Sequence, residues 1–328
     1  MKSRNSAVDL AKLIASWLVI GIHTALFSDL DDRLYFIIVH VVCRFAVPFF
    51  AVCTGYFLTK SLRQEDKSAA IMLRQWKKLI KIYLVWIVVY LLFSIPFWIK
   101  SGWFSAWAFI DYIVAACIGG AYYHLWYLWG VIVALPIFYI IVRKIPQKFL
   151  IIIILLLWFV KVLTYAYAAL IPAVFAGVIA VFSKMGTILC LLPLLLLGAV
   201  ISGGKCYDKN FYWCGFAVSF VLLFCEAFFL KNCGQEAVSY IFCTLPVAYF
   251  LFNGILNSRI VIPEKVSNIA AEISMFIYCI HPIFVKLTET VIQSSISRFA
   301  VCATISTVLG YICVLTKQRR KKERKCFS

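Results

Sequence analysis

The chain has 328 residues, of which 64% are hydrophobic, 17% aromatic and only 14% charged. A soluble protein of this length needs far more charge to cover its surface, and apolar stretches of 18 or more residues recur from end to end, so lipid is the expected solvent. The formal net charge of +18 suggests nucleic acid only until the basic residues are placed: they flank the apolar runs, which excludes a nucleic-acid partner and points to a bilayer.

Backbone groups in lipid must be satisfied within their own segment, so the runs read as helices; the unbroken stretch 151–157 lacks the alternation of a barrel strand. The expected fold is an all-α integral membrane bundle of about ten transmembrane helices. In chain order they fall near 7–27, 35–58, 82–99, 121–142, 149–170, 187–201, 210–230, 237–256, 270–290 and 298–316. The first run follows Lys2 and Arg4 as a signal peptide would, but it carries a lysine and a histidine and lacks a small-residue cleavage site, so it reads as a retained helix. The segment 101–120, with Asp111 and Gly119-Gly120, either lies on the outer surface or re-enters without crossing.

With the N-terminus inside, 23 basic residues fall on the cytoplasmic side, including Lys60, Arg63, Lys67, Arg74, Lys77, Lys78, Lys81 and the run 317–325. Only Arg33, Lys100, Lys184, Lys231 and Arg298 fall outside. That asymmetry predicts an N-in/C-in topology by the positive-inside rule. The clusters at 60–81 and 317–325 read as anchors against an anionic leaflet. The expected organisation is a transmembrane domain over 1–316 and a basic cytoplasmic tail over 317–328. Thirteen cysteines occur without a C-x-x-C pair; the ten in or beside spans read as small buried hydrophobes, with no metal or redox role.

Polar residues inside the spans carry the functional signal, because ionisable groups are expensive there. At 100° per residue, Asp9 lies about 60° from Lys12, Ser16 about 40° and His23 about 20°, which makes one polar stripe along the first helix, and Lys12 and His23 are roughly 16 Å apart along the axis. The second helix runs back and brings His40 and Arg44, one turn apart, to the depth of His23. A blander arrangement is open for each residue: Lys12 pairs with Asp9 and snorkels, and each histidine is satisfied between helices. Three such residues on one helix, with Arg44 nearby, favour a water-accessible polar site instead. In the ninth span Ser274, Tyr278 and His281 share a face, and Pro282 loosens the backbone beside the histidine. The fourth span opens on His124-Leu125-Trp126-Tyr127, a site border or an interfacial aromatic belt. Glu226 and Lys161 are buried charges without an identifiable partner, and Lys286 is close enough to the outer end to snorkel.

Lys12, ten residues and then His23 resembles the first-span signature of the membrane acyltransferase-3 family. Arg44-Phe45-Ala46-Val47-Pro48-Phe49-Phe50 leading to Thr54-Gly55-Tyr56 is similar to that family's second-span motif. His124-Leu125-Trp126-Tyr127-Leu128 with Pro136, and Ile277-Tyr278-Cys279-Ile280-His281-Pro282, resemble two later segments, in the family's order. The matches run from about residue 7 to 316. Three departures stand out: Lys12 where arginine is usual, Thr54 where serine is common, and no acidic pair after the tryptophan of the fourth-span motif. They resemble a subgroup that includes the membrane domains of vancomycin-resistance serine racemases.

The resemblance implies an integral-membrane acyltransferase of the bacterial cytoplasmic membrane. It would move an acyl group, usually acetyl, from cytoplasmic acyl-CoA to a hydroxyl of an extracytoplasmic glycan or other cell-envelope acceptor, with acyl-CoA as co-substrate and no tightly bound cofactor. Histidine suits removal of the acceptor's proton near neutral pH, so His23 is the expected base or transiently acylated group. Arg44 is the expected stabiliser of the oxyanion and His281 a second polar wall. Lys12 is expected at the thioester or the donor's phosphates, and Trp126 and Tyr127 along the donor or acceptor path. The alternative is a transport or substrate-delivery domain, supplying serine as in the racemase subgroup, in which the same stripe forms a passage.

Overall fold

The computed structural model describes residues 5–63, 68–235 and 239–326. Lys2, Arg4 and Lys67, counted above among the cytoplasmic basic residues, lie outside the described residues, as do the side chains of Lys321, Lys322, Arg324 and Lys325.

The regular structure among the described residues is helical, with no strand. Helix α1 (Ser6–His23) starts at Asn5, whose side chain accepts the Val8 N–H at 3.1 Å. The short α2 (Asp32–Tyr35) runs into a π-helical turn over Phe36–Val42 and a 3₁₀ turn over Cys43–Phe45, and then into α3 (Ala46–Arg63). There follow α4 (Ser68–Lys100), α5 (Ala106–Ile118), α6 (Trp126–Lys144), α7 (Gln147–Leu163), α8 (Ala176–Lys184), α9 (Gly186–Gly203), α10 (Lys209–Asn232), α11 (Thr244–Leu256), α12 (Glu264–Thr288) and α13 (Ser295–Cys326).

Eight segments among the described residues are long and apolar enough to cross a membrane: α1, the run Asp32–Arg63, α4, α6, α9, α10, α12 and α13 to Arg320. Two of the ten expected spans fall short of that length. Helix α7 has 17 residues and α11 has 13, about 25 and 20 Å against a hydrocarbon core of about 30 Å. The expected start of the eighth span, at 237, falls partly outside the described residues. Helix α11 begins only at Thr244 because the preceding backbone is bound by side chains: the Thr244 hydroxyl accepts the Ile241 N–H at 3.2 Å, and the Glu226 carboxylate accepts the Phe242 and Cys243 N–H groups at 2.8 Å each.

Helix α4 is longer than its expected span. Its 33 residues measure about 50 Å, and no glycine or proline interrupts 68–95, so Arg74, Lys77, Lys78 and Lys81 ride on a helical extension, not a loop. The segment 101–120 contains the 13-residue α5, held to α4 by Tyr83 donating to the Ala116 carbonyl at 2.6 Å and Tyr112 to that of Ile87 at 2.7 Å.

The chain divides into two compact units, 1–50 with 208–218 and 250–328, and 51–207 with 219–249. In the first, α12 packs against both α1 and α13. Ile20, Ile273, Ile277, Cys302 and Val314 form a buried cluster with Leu13, Trp17, Phe284 and Phe299 against it, and Trp17 Nε1 donates to Thr307 at 3.1 Å. In the second, α9 packs against α6 and α7, with Leu191, Leu194, Leu195 and Leu196 buried. A Cβ on Gly55 would collide with the Leu195 carbonyl, and one on Gly198 with that of Val52, so α3 and α9 cross with their backbones in contact, as small residues permit in membranes. The cysteines divide. Cys43, Cys53, Cys190, Cys279 and Cys302 are buried as expected, whereas Cys117, Cys214, Cys225 and Cys313 are exposed. A thiol is apolar enough to sit on an outward face of an apolar helix.

Candidate functional site

The first unit brings two of the expected site histidines together. The rings of His23, the last residue of α1, and His281, within α12, stack with centroids 5.2 Å apart and planes 25° apart. His281 is fully buried and His23 half-buried.

Pro282 loosens the backbone of α12 beside the His281 ring. A proline has no N–H, so the carbonyl four residues earlier, that of Tyr278, loses its helical partner. The His281 ring lies with Nδ1 3.0 Å from the neighbouring carbonyl of Ile277. A carbonyl can only accept, so Nδ1 carries the hydrogen and, in the neutral ring, the lone pair sits on Nε2. The bonded carbonyl, that of Ile277, is one residue before the carbonyl that Pro282 frees, so the tautomer follows from the helix and not from the proline.

Arg44 lies close enough to His23 for the two to interact electrostatically. It stands on the 3₁₀ turn, which approaches α1 at Gly21, where a Cβ would be 3.2 Å from Cys43 Sγ. The buried Nε of Arg44 has no hydrogen-bond partner among the described residues. The regular α-helical spacing expected between His40 and Arg44 does not occur, because the π and 3₁₀ turns lie between them. Such π turns concentrate where a helix re-aims a side chain. Here His40 packs edge-on against Tyr35 at 5.1 Å and stacks on Phe36 at 5.8 Å.

Lys12 takes the blander of its two readings. Its Nζ is 3.2 Å from Asp9 Oδ1, and the second Asp9 oxygen accepts the Ser267 hydroxyl of α12 at 2.8 Å. Between this pair and the histidines the stripe is closed: Ser16 and Ser274 are buried and donate to carbonyls of their own helices, Leu13 at 2.6 Å and Ala271 at 3.0 Å. One continuous water-accessible stripe is therefore not observed; a short hydroxyl on a helix finds its own backbone first.

Beyond His23 the chain turns sharply, with Ala25 at φ 50° and Phe27 at φ 71°, a region costly for side-chain-bearing residues and concentrated at functional sites. The turn is tied to the start of α13. The Phe27 N–H donates to Ser295 Oγ at 2.9 Å, and both the Ser295 N–H and its hydroxyl donate to Asp29. That hydroxyl holds the Asp29 carboxyl below the usual carboxylate range. Sequence reasoning passed over Asp29; an aspartate after one span and a serine opening another are the only local signals.

Trp126 and Tyr127 belong to the second unit. Trp126 is half-buried, and Tyr127 is buried and hydrogen-bonded to Thr54. His124 is also buried, with Tyr90 at 4.9 Å, Tyr123 at 5.8 Å and Tyr122 at 5.9 Å around it. This motif is thus an internal aromatic cluster and not only an interfacial belt. Glu226 and Lys161 also have partners that the sequence did not identify. Glu226 accepts the Tyr167 hydroxyl at 2.9 Å as well as the two amides that precede α11, and Lys161 faces two tyrosine rings.

No solved structure matches the chain significantly. Among curated proteins, two amino-acid racemases of Enterococcus faecalis are similar. One is 26% identical over 77% of this chain and 36% of its own length, the other 24% identical over 97% and 47%. The chain thus spans about half or less of the length of these relatives. Residues 5–316 match the family described as "Acyltransferase domain", and the chain belongs to this acyltransferase-3 family.

Proposed function

We propose that the chain is an O-acyltransferase that moves an acyl group, acetyl in the simplest case, from cytoplasmic acyl-CoA to a hydroxyl of an extracytoplasmic glycan or cell-envelope acceptor. The observation that carries this reading is the stacked His23–His281 pair beside Arg44, in a member of an acyltransferase family. The acceptor hydroxyl gives its proton to His23 while its oxygen attacks the thioester carbon. The carbonyl oxygen becomes an oxyanion that the Arg44 guanidinium stabilises. Collapse breaks the C–S bond, and the departing CoA sulfur takes the proton. His281, whose tautomer is fixed, stacks on His23 and holds its ring in place. Lys12, paired with Asp9, serves as an anchor of α1 and takes no part in the chemical step.

The proposal includes an N-in/C-in topology of about ten spans in the bacterial cytoplasmic membrane, with α7 and α11 crossing as short helices. The skewed distribution of basic residues supports it. Reporters after Ser328 and within 60–81 should read cytoplasmic and one at 231–236 external; a C-terminal and a 231–236 reporter on the same side contradict it.

A second reading rests on the two relatives. Both are amino-acid racemases of which this chain matches only a part, so a membrane domain that delivers an amino acid, serine in particular, fits that arrangement. His23→Gln distinguishes the two. It keeps size and hydrogen bonding but cannot take the proton, so acyl transfer should fall about 10²-fold or more in a protein that still folds and inserts. Unchanged transfer removes His23 from the chemistry. Serine uptake that survives in His23→Gln, by a protein that never transferred an acyl group, supports delivery.

A further inference from the structure

In the second unit, independently of the histidine pair, one positive charge is buried among aromatic side chains. Lys161, in the last turn of α7, is 7% exposed. Its Nζ lies 4.1 Å from the ring centre of Tyr165 and 5.3 Å from that of Tyr240. Among the described residues no carboxylate pairs with it: the ion pairs there join other residues, and Glu226 is engaged by Tyr167 and by the amides of Phe242 and Cys243. A buried charge that meets ring faces and the Cys190 thiol is costly unless an anion completes it.

The surroundings are built and not incidental. Tyr240 sits on a segment pinned from two sides, by Trp158 Nε1 donating to the Ile241 carbonyl at 3.2 Å and by Glu226 holding the next two amides. The two rings occupy their flanks of the ammonium, and ring faces repel anions. One approach stays open. A Cβ built on Gly186 would stand 3.7 Å from Lys161 Nζ and, apart from its chain neighbours and its own helix backbone, within 4 Å of no other atom, so the glycine leaves space directly beside the charge.

We propose that Lys161, Tyr165, Tyr240 and Gly186 form a binding site for the carboxylate of a small organic acid. A single ammonium balances one negative charge. A phosphoryl dianion calls for several donors or a guanidinium fork, which this site lacks. The tyrosine rings offer apolar surface to the rest of the ligand, so the favoured ligand is a monocarboxylate with an apolar or aromatic body.

The test is site-resolved reductive methylation of the full chain in phosphatidylcholine nanodiscs, read by mass spectrometry at Lys161 and at exposed Lys100. Benzoate at ten times its Kd should slow labelling of Lys161 about tenfold and leave Lys100 unchanged, while inorganic phosphate protects neither. Binding of radiolabelled benzoate should be lost in Lys161→Met. It should also be lost in Gly186→Val, which keeps the charge and fills the open flank; this second variant decides if the first does not fold. Absence of labelling at Lys161 in the unliganded protein would show that the flank is closed. Absence of protection by benzoate would mean a lysine held by the rings alone. Protection by phosphate equal to that by benzoate would mean a phosphate or lipid-headgroup site. Each of these three results overturns the proposal.

Discussion

The first half of α1 carries Asp9 and Lys12, a carboxylate and an ammonium 3.2 Å apart, with the remaining acid oxygen bound by Ser267. Its last residue, His23, instead stacks on a histidine and lies beside a guanidinium whose buried Nε is unpaired among the described residues. Both ends bury polar groups against α12, but the first joins opposite charges and the second joins two imidazoles near a guanidinium. Opposite charges in contact make a structural anchor. Two stacked imidazoles near an arginine bring proton acceptors and positive charge together, the electrostatics that a developing oxyanion needs.

Removing a charged group at each end should therefore have different consequences. Arg44→Gln should lower kcat for acyl transfer about 10²- to 10³-fold with little change in KM; a change confined to KM would place Arg44 in binding and not in charge stabilisation. Asp9→Ala should instead lower stability, by about 1–3 kcal/mol, because it strips Lys12 and Ser267 of their shared partner. The check is the Tm in nanodiscs, with kcat per folded molecule unchanged; a kcat loss matching that of Arg44→Gln would erase the distinction between the ends. Lys12→Arg keeps both charge and anchor and should leave activity close to wild type.

The closed middle of the stripe sharpens the same contrast. In a background without native cysteines, Ser16→Cys and Ser274→Cys should react slowly with a small polar thiol reagent, whereas Ser28→Cys, in the exposed turn after His23, should react fast. Equal rates would restore a continuous water-filled stripe. The smallest effect is expected at the tie between that turn and α13. Ser295 holds the Asp29 carboxyl low, so its contribution is present above the ordinary carboxylate pKa of about 4 and is lost as pH falls through the lowered value. The Tm difference between wild type and Asp29→Asn should accordingly be largest near neutrality and vanish in acid. A difference that grows on acidification contradicts that role.

Most of the helices were legible because apolar runs in lipid leave the backbone no other choice. Their ends were less so. Helix α4 runs on through its basic stretch because nothing interrupts it, and α11 starts late because Glu226, far back in the chain, holds the amides before it. That His23 and His281 each line an interior was readable from two periodic faces and a proline; that they stack on one another was not. What escaped depends on contacts between distant residues: Asp9 with Ser267, Asp29 with Ser295, and the Tyr240 ring with Lys161. Periodicity says which face a residue takes, not what meets it there.

The most direct measurement gives purified protein in proteoliposomes labelled acetyl-CoA on the cytoplasmic side and, separately, labelled serine. Acetyl label is expected in a hydroxyl acceptor supplied on the opposite side, dependent on His23, with no serine uptake above that of empty vesicles. Serine uptake without any transfer of the acetyl label would contradict the acyltransferase proposal.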